Sequence, residues 1–187
     1  ISYPASNEYL EKVMFDKGVL QARIKKYPDS MNSLKIFLLK FPNSSYSDKA
    51  YYWLGYATSY HAELLRIKSK EIALPEFEAA TINFISSNPK SLSQAQQLER
   101  LRLLGRAWWF LEDITQAAEA WEKYFDYSNS ISQEEVLSLK FQLATGFQKD
   151  KNYAQAEKWY ARITKDHPDS ELATSSSFWR AEMAYAK

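Results

Sequence analysis

Cysteine is absent from this chain, histidine occurs twice, glycine four times and proline six times in 187 residues. Without cysteine there is no disulfide, no thiol nucleophile and no thiolate metal site, and the chain suits cytosol and periplasm alike. Four glycines form no phosphate-cradling loop, and so few glycines and prolines exclude collagen-like sequence and long flexible linkers. A charge excess of either sign is also missing: 24 basic residues face 23 acidic ones, a net of +1. Such a balance provides no field for gathering nucleic acid or an anionic membrane. No apolar run approaches the length of a bilayer span, and no signal peptide is present. The chain begins at Ile1 rather than Met, which points to a processed or trimmed product; any signal or lipid anchor would lie upstream of Ile1.

What is present is apolar and aromatic surface. Hydrophobic residues make up 45% and aromatic residues 16%, with thirteen Tyr, ten Phe and six Trp, enough for a folded core. The chain also repeats itself. A shift of 39 residues lays Leu101–Asn129 over Lys140–Pro168 and pairs Leu104 with Leu143, Gly105 with Ala144 and Ala107 with Gly146. The same shift pairs Trp108 with Phe147, Ile114 with Tyr153, Ala117 with Ala156, Trp121 with Tyr160 and Tyr124 with Ile163. Within one unit Leu104, Ala107, Trp108 and Leu111 step by three and four, as one face of a helix does. The spacing breaks at Glu112 and Asp113 and resumes through Ala117, Ala120, Trp121 and Tyr124, so each unit reads as a helical hairpin. Small residues at Gly105, Ala117, Ala144 and Ala156 let the paired helices approach closely.

Helix starts and stops are marked as well. Ser132 with Glu135 has capping-box spacing; Asp169 or Ser170, and Ser91 or Ser93, are further caps; Pro75 suits the first position of a helix. The stops read "YPDS" at 27, "FPNS" at 41, "NPKS" at 88, "YSNS" at 127 and "HPDS" at 167. "FPNSSYSDKAYYWLG" and "HPDSELATSSSFWRAE" share one interval from proline to tryptophan, Pro42 to Trp53 and Pro168 to Trp179. The hairpin from Leu54 to Pro89 carries extra residues in "HAELLRIKSKEIALPEF", which predicts a long first helix and a wider turn. The first forty residues are the least regular.

"LLGRAWWFLEDITQAAEAWEKY" and "LATGFQKDKNYAQAEKWYARITKDHP" resemble tetratricopeptide repeats. The family's positions fall on Leu104, Gly105, Trp108, Ala117 and Trp121, then on Leu143, Ala144, Phe147, Ala156, Tyr160 and Pro168. "FPNSSYSDKAYYWLG" and its echo are similar to the bacterial envelope branch of that family, the BamD-like and YbgF-like members. The resemblance implies an all-α fold, a right-handed superhelical array of antiparallel hairpins forming one elongated domain over 1–187. Its parts would be irregular helices at 1–40, a long hairpin at 41–89, repeats at 90–129 and 130–168, and a terminal half-repeat at 169–187. It also implies a bacterial periplasmic or cell-envelope location, with a cytoplasmic one as the alternative.

In the resembled fold the first helices of successive hairpins line a concave groove. Carried over by position, groove residues are Tyr52, Tyr56, Ser59 and Tyr60, then Arg102, Arg106 and Trp109, then Phe141, Thr145 and Gln148, with Phe178, Glu182 and Tyr185 in the half-repeat. Tyr, Trp and Arg are the types that concentrate binding energy, and Arg102 and Arg106 are candidates for a partner's carboxylate. Packing against the next hairpin is the competing role for Tyr52 and Phe178. Trp108 and Trp109, being neighbours, point to different sides of one helix. For chemistry the signals are poor. His61 and His167 lack a second ligand at helical spacing, Glu112–Asp113 and Glu134–Glu135 fit turns and first helix turns, and no cofactor or metal is implied. The basic clusters "KSKEI" and "LERLRLLGR" read as solvated helix faces. The expectation is therefore a non-enzymatic scaffold or adaptor for a protein or peptide partner. An architectural subunit self-associating through its open terminal face is the alternative, and an accessory domain of a cell-wall enzyme is a distant third.

Overall fold

In the computed structural model, which describes residues 4–127 and 131–185, side-chain oxygens open most helices where the sequence offers them. The order is α1 (Pro4–Arg23), α2 (Tyr27–Lys40), α3 (Ser47–Arg66), α4 (Lys70–Ser86), a 3-10 turn (Pro89–Ser91), α5 (Gln94–Phe110), α6 (Ile114–Phe125), α7 (Gln133–Lys149), α8 (Tyr153–Asp166) and α9 (Glu171–Tyr185). Among the described residues there is no strand, and the fold is all-α as expected. Ser93, not Ser91, caps α5 in a full capping box with Gln96. Ser170 Oγ accepts from Ala173 N at 3.0 Å and so opens α9, while Asn152 caps α8. Ser132 Oγ accepts from Glu135 N at 3.4 Å, but Glu135 turns its carboxylate to the Tyr124 hydroxyl, 3.2 Å away.

The helices form two compact units, Ile1–Asp113 and Ile114–Lys187. In the first, each helix from α1 to α5 packs on the next, and α3 also touches α1 and α5. In the second, α6, α7, α8 and α9 pack in the same consecutive way. Each unit is thus an array in which successive helices cover one another's apolar faces. The division falls in the turn between α5 and α6, inside the stretch 90–129 read from the sequence as one repeat. Of the stop at 127–130 only Tyr127 is described; Ser128, Asn129 and Ser130 lie outside the described residues, as does Lys187.

Three expectations about the first unit are corrected. Within 1–40, expected to hold irregular helices, α1 and α2 form a regular hairpin. Pro75 is not a first helical residue: Ser69 caps α4 through Glu71 N at 3.1 Å, which puts Pro75 in the second turn, where it withholds one backbone donor. The turn of the long hairpin is not wide either. Only Ile67, Lys68 and Ser69 join α3 to α4, so the extra residues lengthen both helices.

Turn geometry explains why α1–α2 counts as a repeat. Among the described residues, Lys25, Glu112 and Lys151 are the non-glycine residues with positive φ, at 62°, 63° and 60°. Each closes a helix in the same way: Lys26 N donates to Gln21 O at 2.9 Å, Asp113 N to Trp108 O at 3.1 Å and Asn152 N to Phe147 O at 2.8 Å, the six-to-one bond of a Schellman turn. Seven residues before these positions lie the buried small residues Gly18, Gly105 and Ala144; five after lie buried Ser30, Ala117 and Ala156. Nine and twelve after lie Leu34 and Phe37, Trp121 and Tyr124, Tyr160 and Ile163, all buried. Seventeen after Lys25 and Lys151 stand Pro42 and Pro168. The internal spacing of the later units therefore recurs in the amino-terminal hairpin. Two matched positions diverge in burial, since Trp108 is half-buried beside buried Phe147, and Tyr153 is exposed where Ile114 is buried.

The small residues set the spacing of the helices. A β-carbon on Gly18 would stand 2.6 Å from Leu34 Cγ, and one on Gly55 would stand 2.7 Å from Phe84 Cδ1. Gly55→Ala forces the buried Phe84 ring to move and is expected to lower stability by about 1–3 kcal/mol, although alanine favours helix. Lys151→Gly relieves a left-handed backbone that costs an L-residue about 1 kcal/mol and is expected to raise stability by up to about that amount. Urea denaturation of both variants checks the pair, and an unchanged midpoint for Gly55→Ala would remove the close-approach argument.

Candidate protein-binding face

Helical spacing on α3 divides its aromatics between core and surface. Tyr52 is 3% exposed and lies against Phe84 with ring centroids 6.4 Å apart, so this residue, expected on the groove wall, belongs to the core. Ser59, also expected there, is buried. Trp53, Tyr56 and Tyr60 step by three and four and stay half-buried along the adjoining face. Trp53 meets Tyr56 edge-on at 5.2 Å, Tyr56 meets Tyr60 at 4.7 Å, and Tyr27, from the start of α2, stacks on Tyr60 at 5.6 Å. Four rings in succession give α3 a rigid amphipathic wall with little side-chain entropy left to lose on binding.

The arginines expected in the groove are there but occupied. Arg102 forks onto Glu99 through Nε at 2.9 Å and Nη2 at 2.8 Å, and Nη2 also reaches the Tyr60 hydroxyl at 3.1 Å. Tyr60 in turn donates to Glu99 Oε1 at 2.9 Å, so α3 and α5 are stitched by a closed three-residue network. Arg106 donates to Glu63, which also accepts from Arg66 at 3.1 Å. The sequence reading that both guanidinium groups wait for a partner's carboxylate is corrected by this geometry. Trp109 is half-buried on α5, as is Trp108.

Burial dominates the electrostatics of the tyrosines. It pushes the phenols of Tyr52, Tyr56 and Tyr60 above their ordinary range, with the Glu99 carboxylate adding to the rise and Arg102 opposing it. Burial pushes Tyr160 up to about 12. Half-buried Arg100 donates through Nε to Phe84 O at 2.8 Å and to Ser87 Oγ at 2.9 Å, satisfying the carboxyl end of α4.

A cavity of about 320 Å³ opens beside the aromatic wall, between α1 and α3. Phe15, Val19, Leu20 and Trp53 give its apolar lining, and Arg23 and Lys49 stand around it, with the Arg23 guanidinium 5.4 Å from the Trp53 ring centroid. None of these residues was singled out for the groove from the sequence. The available signal was the spacing of Trp53, Tyr56 and Tyr60, which excludes Tyr52 from their face.

Phe141 and Gln148 lie in the second unit and serve its hairpin. Phe141 packs edge-on to Tyr160 at 5.8 Å, and Gln148 accepts from the Tyr160 hydroxyl at 2.7 Å. Thr145 bonds back to Phe141 O at 3.1 Å. A cleft of about 760 Å³ in this unit is lined by charges of both signs, where Lys140 holds Asp166 at 2.7 Å and Arg162 holds Glu122 at 2.9 Å. On α9, Phe178 is 57% exposed, Trp179 is 37% exposed and Glu182 is exposed; the Tyr185 side chain lies outside the described residues. Among the described residues no group of three or more His, Asp or Glu converges as a metal site, and no helix is long and apolar enough to cross a membrane. His61 Nδ1 stands 3.6 Å from Glu76 Oε1, and His167 ends α8 by donating its backbone N–H to Ile163 O at 3.0 Å.

No protein-family model matches the chain, and no curated protein matches it significantly.

The raised phenol of Tyr160 ties stability to alkaline pH. Between the ordinary 10.0 and about 12 the unfolded chain gives up this proton and the folded chain keeps it. Stability is therefore complete below the ordinary value and falls as pH rises through that window. Tyr160→Phe is expected to make the loss shallower, as read by urea denaturation from about pH 9 to about pH 11.5. Equal slopes for the two chains would contradict the assignment.

Proposed function

We propose that the chain is a non-enzymatic scaffold of the tetratricopeptide-repeat type, holding a partner protein through the face formed by α1, α3 and α5. The observation that carries this reading is the row Trp53, Tyr56 and Tyr60, half-exposed rings at helical spacing beside an apolar cavity. Rings held in one arrangement lose little freedom on contact, and Tyr and Trp dominate binding hot spots. The recurrence of turn, small residue and closing proline in α1–α2 and α7–α8 supports the repeat class. The echo between residues 41–55 and 167–182 supports the narrower likeness to bacterial envelope members, and with it a periplasmic or envelope location. An extended segment laid across three parallel first helices is the partner geometry such a face suits.

A second reading, an architectural subunit that self-associates, is favoured by the exposed pair Phe178 and Trp179, whose rings meet edge-on at 5.3 Å on α9. Photo-crosslinking separates the two. A benzophenone side chain placed at Tyr56 is expected to yield a product with a different protein, and one placed at Phe178 is not. Products from Phe178 alone would sink the proposal, and a dimer of this chain by light scattering would favour the second reading.

A further inference from the structure

We infer that the cavity between α1 and α3 takes an acidic peptide segment, seating an apolar side chain against Trp53 while a neighbouring carboxylate meets Arg23 and Lys49. The inference rests on the reading of the α1, α3 and α5 face as the binding face. The cavity's volume of about 320 Å³ is at the small end of ligand pockets and has room for one large apolar side chain. Its floor is apolar and rigid, since Phe15 stacks on Tyr46 at 5.1 Å and packs on Phe37 at 5.9 Å.

Charge around the cavity decides the sign of what it accepts. Asp16, the only acid lining it among the described residues, is held by Lys12 at 2.6 Å. Gln96 is engaged too, its side-chain oxygen accepting from Ser93 N at 3.0 Å in the α5 cap. Arg23 and Lys49 have no acid partner among the described residues, and the contact of Arg23 with the Trp53 ring leaves the guanidinium edge free to donate. Arg23 suits the carboxyl end of α1, where a cation is favoured on its own account. Lys49 has no such explanation: it sits in the first turn of α3, the end that repels a cation. Two unpaired cations beside an apolar recess match one carboxylate next to one apolar side chain, and they contrast with Arg102 and Arg106, whose acids are supplied within the chain.

The test uses the full chain labelled with ¹⁵N, following the Trp53 indole N–H assigned through Trp53→Phe. The probes are the acetylated, amidated pentapeptide Gly-Asp-Phe-Asp-Gly and its counterpart with both Asp replaced by Asn. The acidic peptide is expected to shift the Trp53 signal saturably, with Kd near 1 mM as an order of magnitude, and the neutral one to bind about tenfold more weakly. Arg23→Gln and Lys49→Gln, both at surface positions, are each expected to weaken the acidic peptide by about fivefold with the helical circular dichroism unchanged. Equal affinity for the two peptides, insensitivity to both substitutions, or no saturable shift up to about 5 mM overturns the inference. Crosslinking from Tyr56 reports on the face independently, so its retention alongside any of those outcomes removes the pocket's role and leaves the binding face standing.

Discussion

Close approach of paired helices is the constraint on which the first unit depends. Gly18 and Gly55 leave no room for a β-carbon against Leu34 and Phe84, and both partners are wholly buried. Because dispersion falls steeply with distance, a helix pair drawn together at one small residue brings its larger neighbours into contact along the whole hairpin. The hydroxyl of buried Ser30 adds a bond to Gly18 O at 2.8 Å, fixing the register of α2 on α1. Everything that a partner could touch on α3 is oriented by that packing, since the face holding Trp53, Tyr56 and Tyr60 is what remains after Tyr52, Leu54 and Ala57 are buried.

The same constraint locates the unusual length of the second hairpin. Gly18 and Leu34 are sixteen residues apart and Gly55 and Phe84 twenty-nine, yet the two contacts are equivalent. The added residues therefore extend α3 and α4 beyond the shared contact, toward a three-residue turn. The extension has its own small core, in which Ala62, Ala73 and Phe77 cluster with Ala107 of α5, and Phe77 stacks on Phe110 at 4.7 Å. Arg66 and Arg106 lie over the same Phe110 ring while both bond to Glu63. Charges that look available in the sequence "LERLRLLGR" are thus consumed in holding α5 to the lengthened hairpin.

Joints between hairpins follow a similar logic of mutual satisfaction. Ser47 donates to Phe41 O and Pro42 O at 3.2 and 3.1 Å, so the stop of one hairpin and the start of the next share a hydroxyl. Asp48, one residue on, accepts from Ser91 at 2.6 Å and ties that joint to the 3-10 turn preceding α5. Polar residues that punctuate the sequence therefore bond within and between joints.

The sequence by itself determined the all-α class, the helix–turn–helix spacing of 101–129 and 140–168, the cap at Ser132, those at Ser93 and Ser170 as one of two candidates each, and the closing prolines Pro42 and Pro168, because these rest on local spacing and on groups within a turn of one another, although the "YPDS" read as a stop at 27 instead opens α2. It missed the amino-terminal hairpin because Lys17 and Gln21 stand where the later units have Leu104 or Leu143 and Trp108 or Phe147; a match scored on apolar residues fails there, while the left-handed turn at Lys25 leaves no compositional trace. It assigned Tyr56, Tyr60, Arg102 and Arg106 to the right helices, but it left Arg102 and Arg106 open to a partner where Glu99 and Glu63 already engage them. Whether a tyrosine is buried, and whether an arginine already holds a carboxylate forty residues away, depends on helices that meet only after folding. Tertiary structure alone decided that Tyr52 is core, that Arg102 and Arg106 are engaged, and that Arg23 and Lys49 are the cations left beside an open apolar recess.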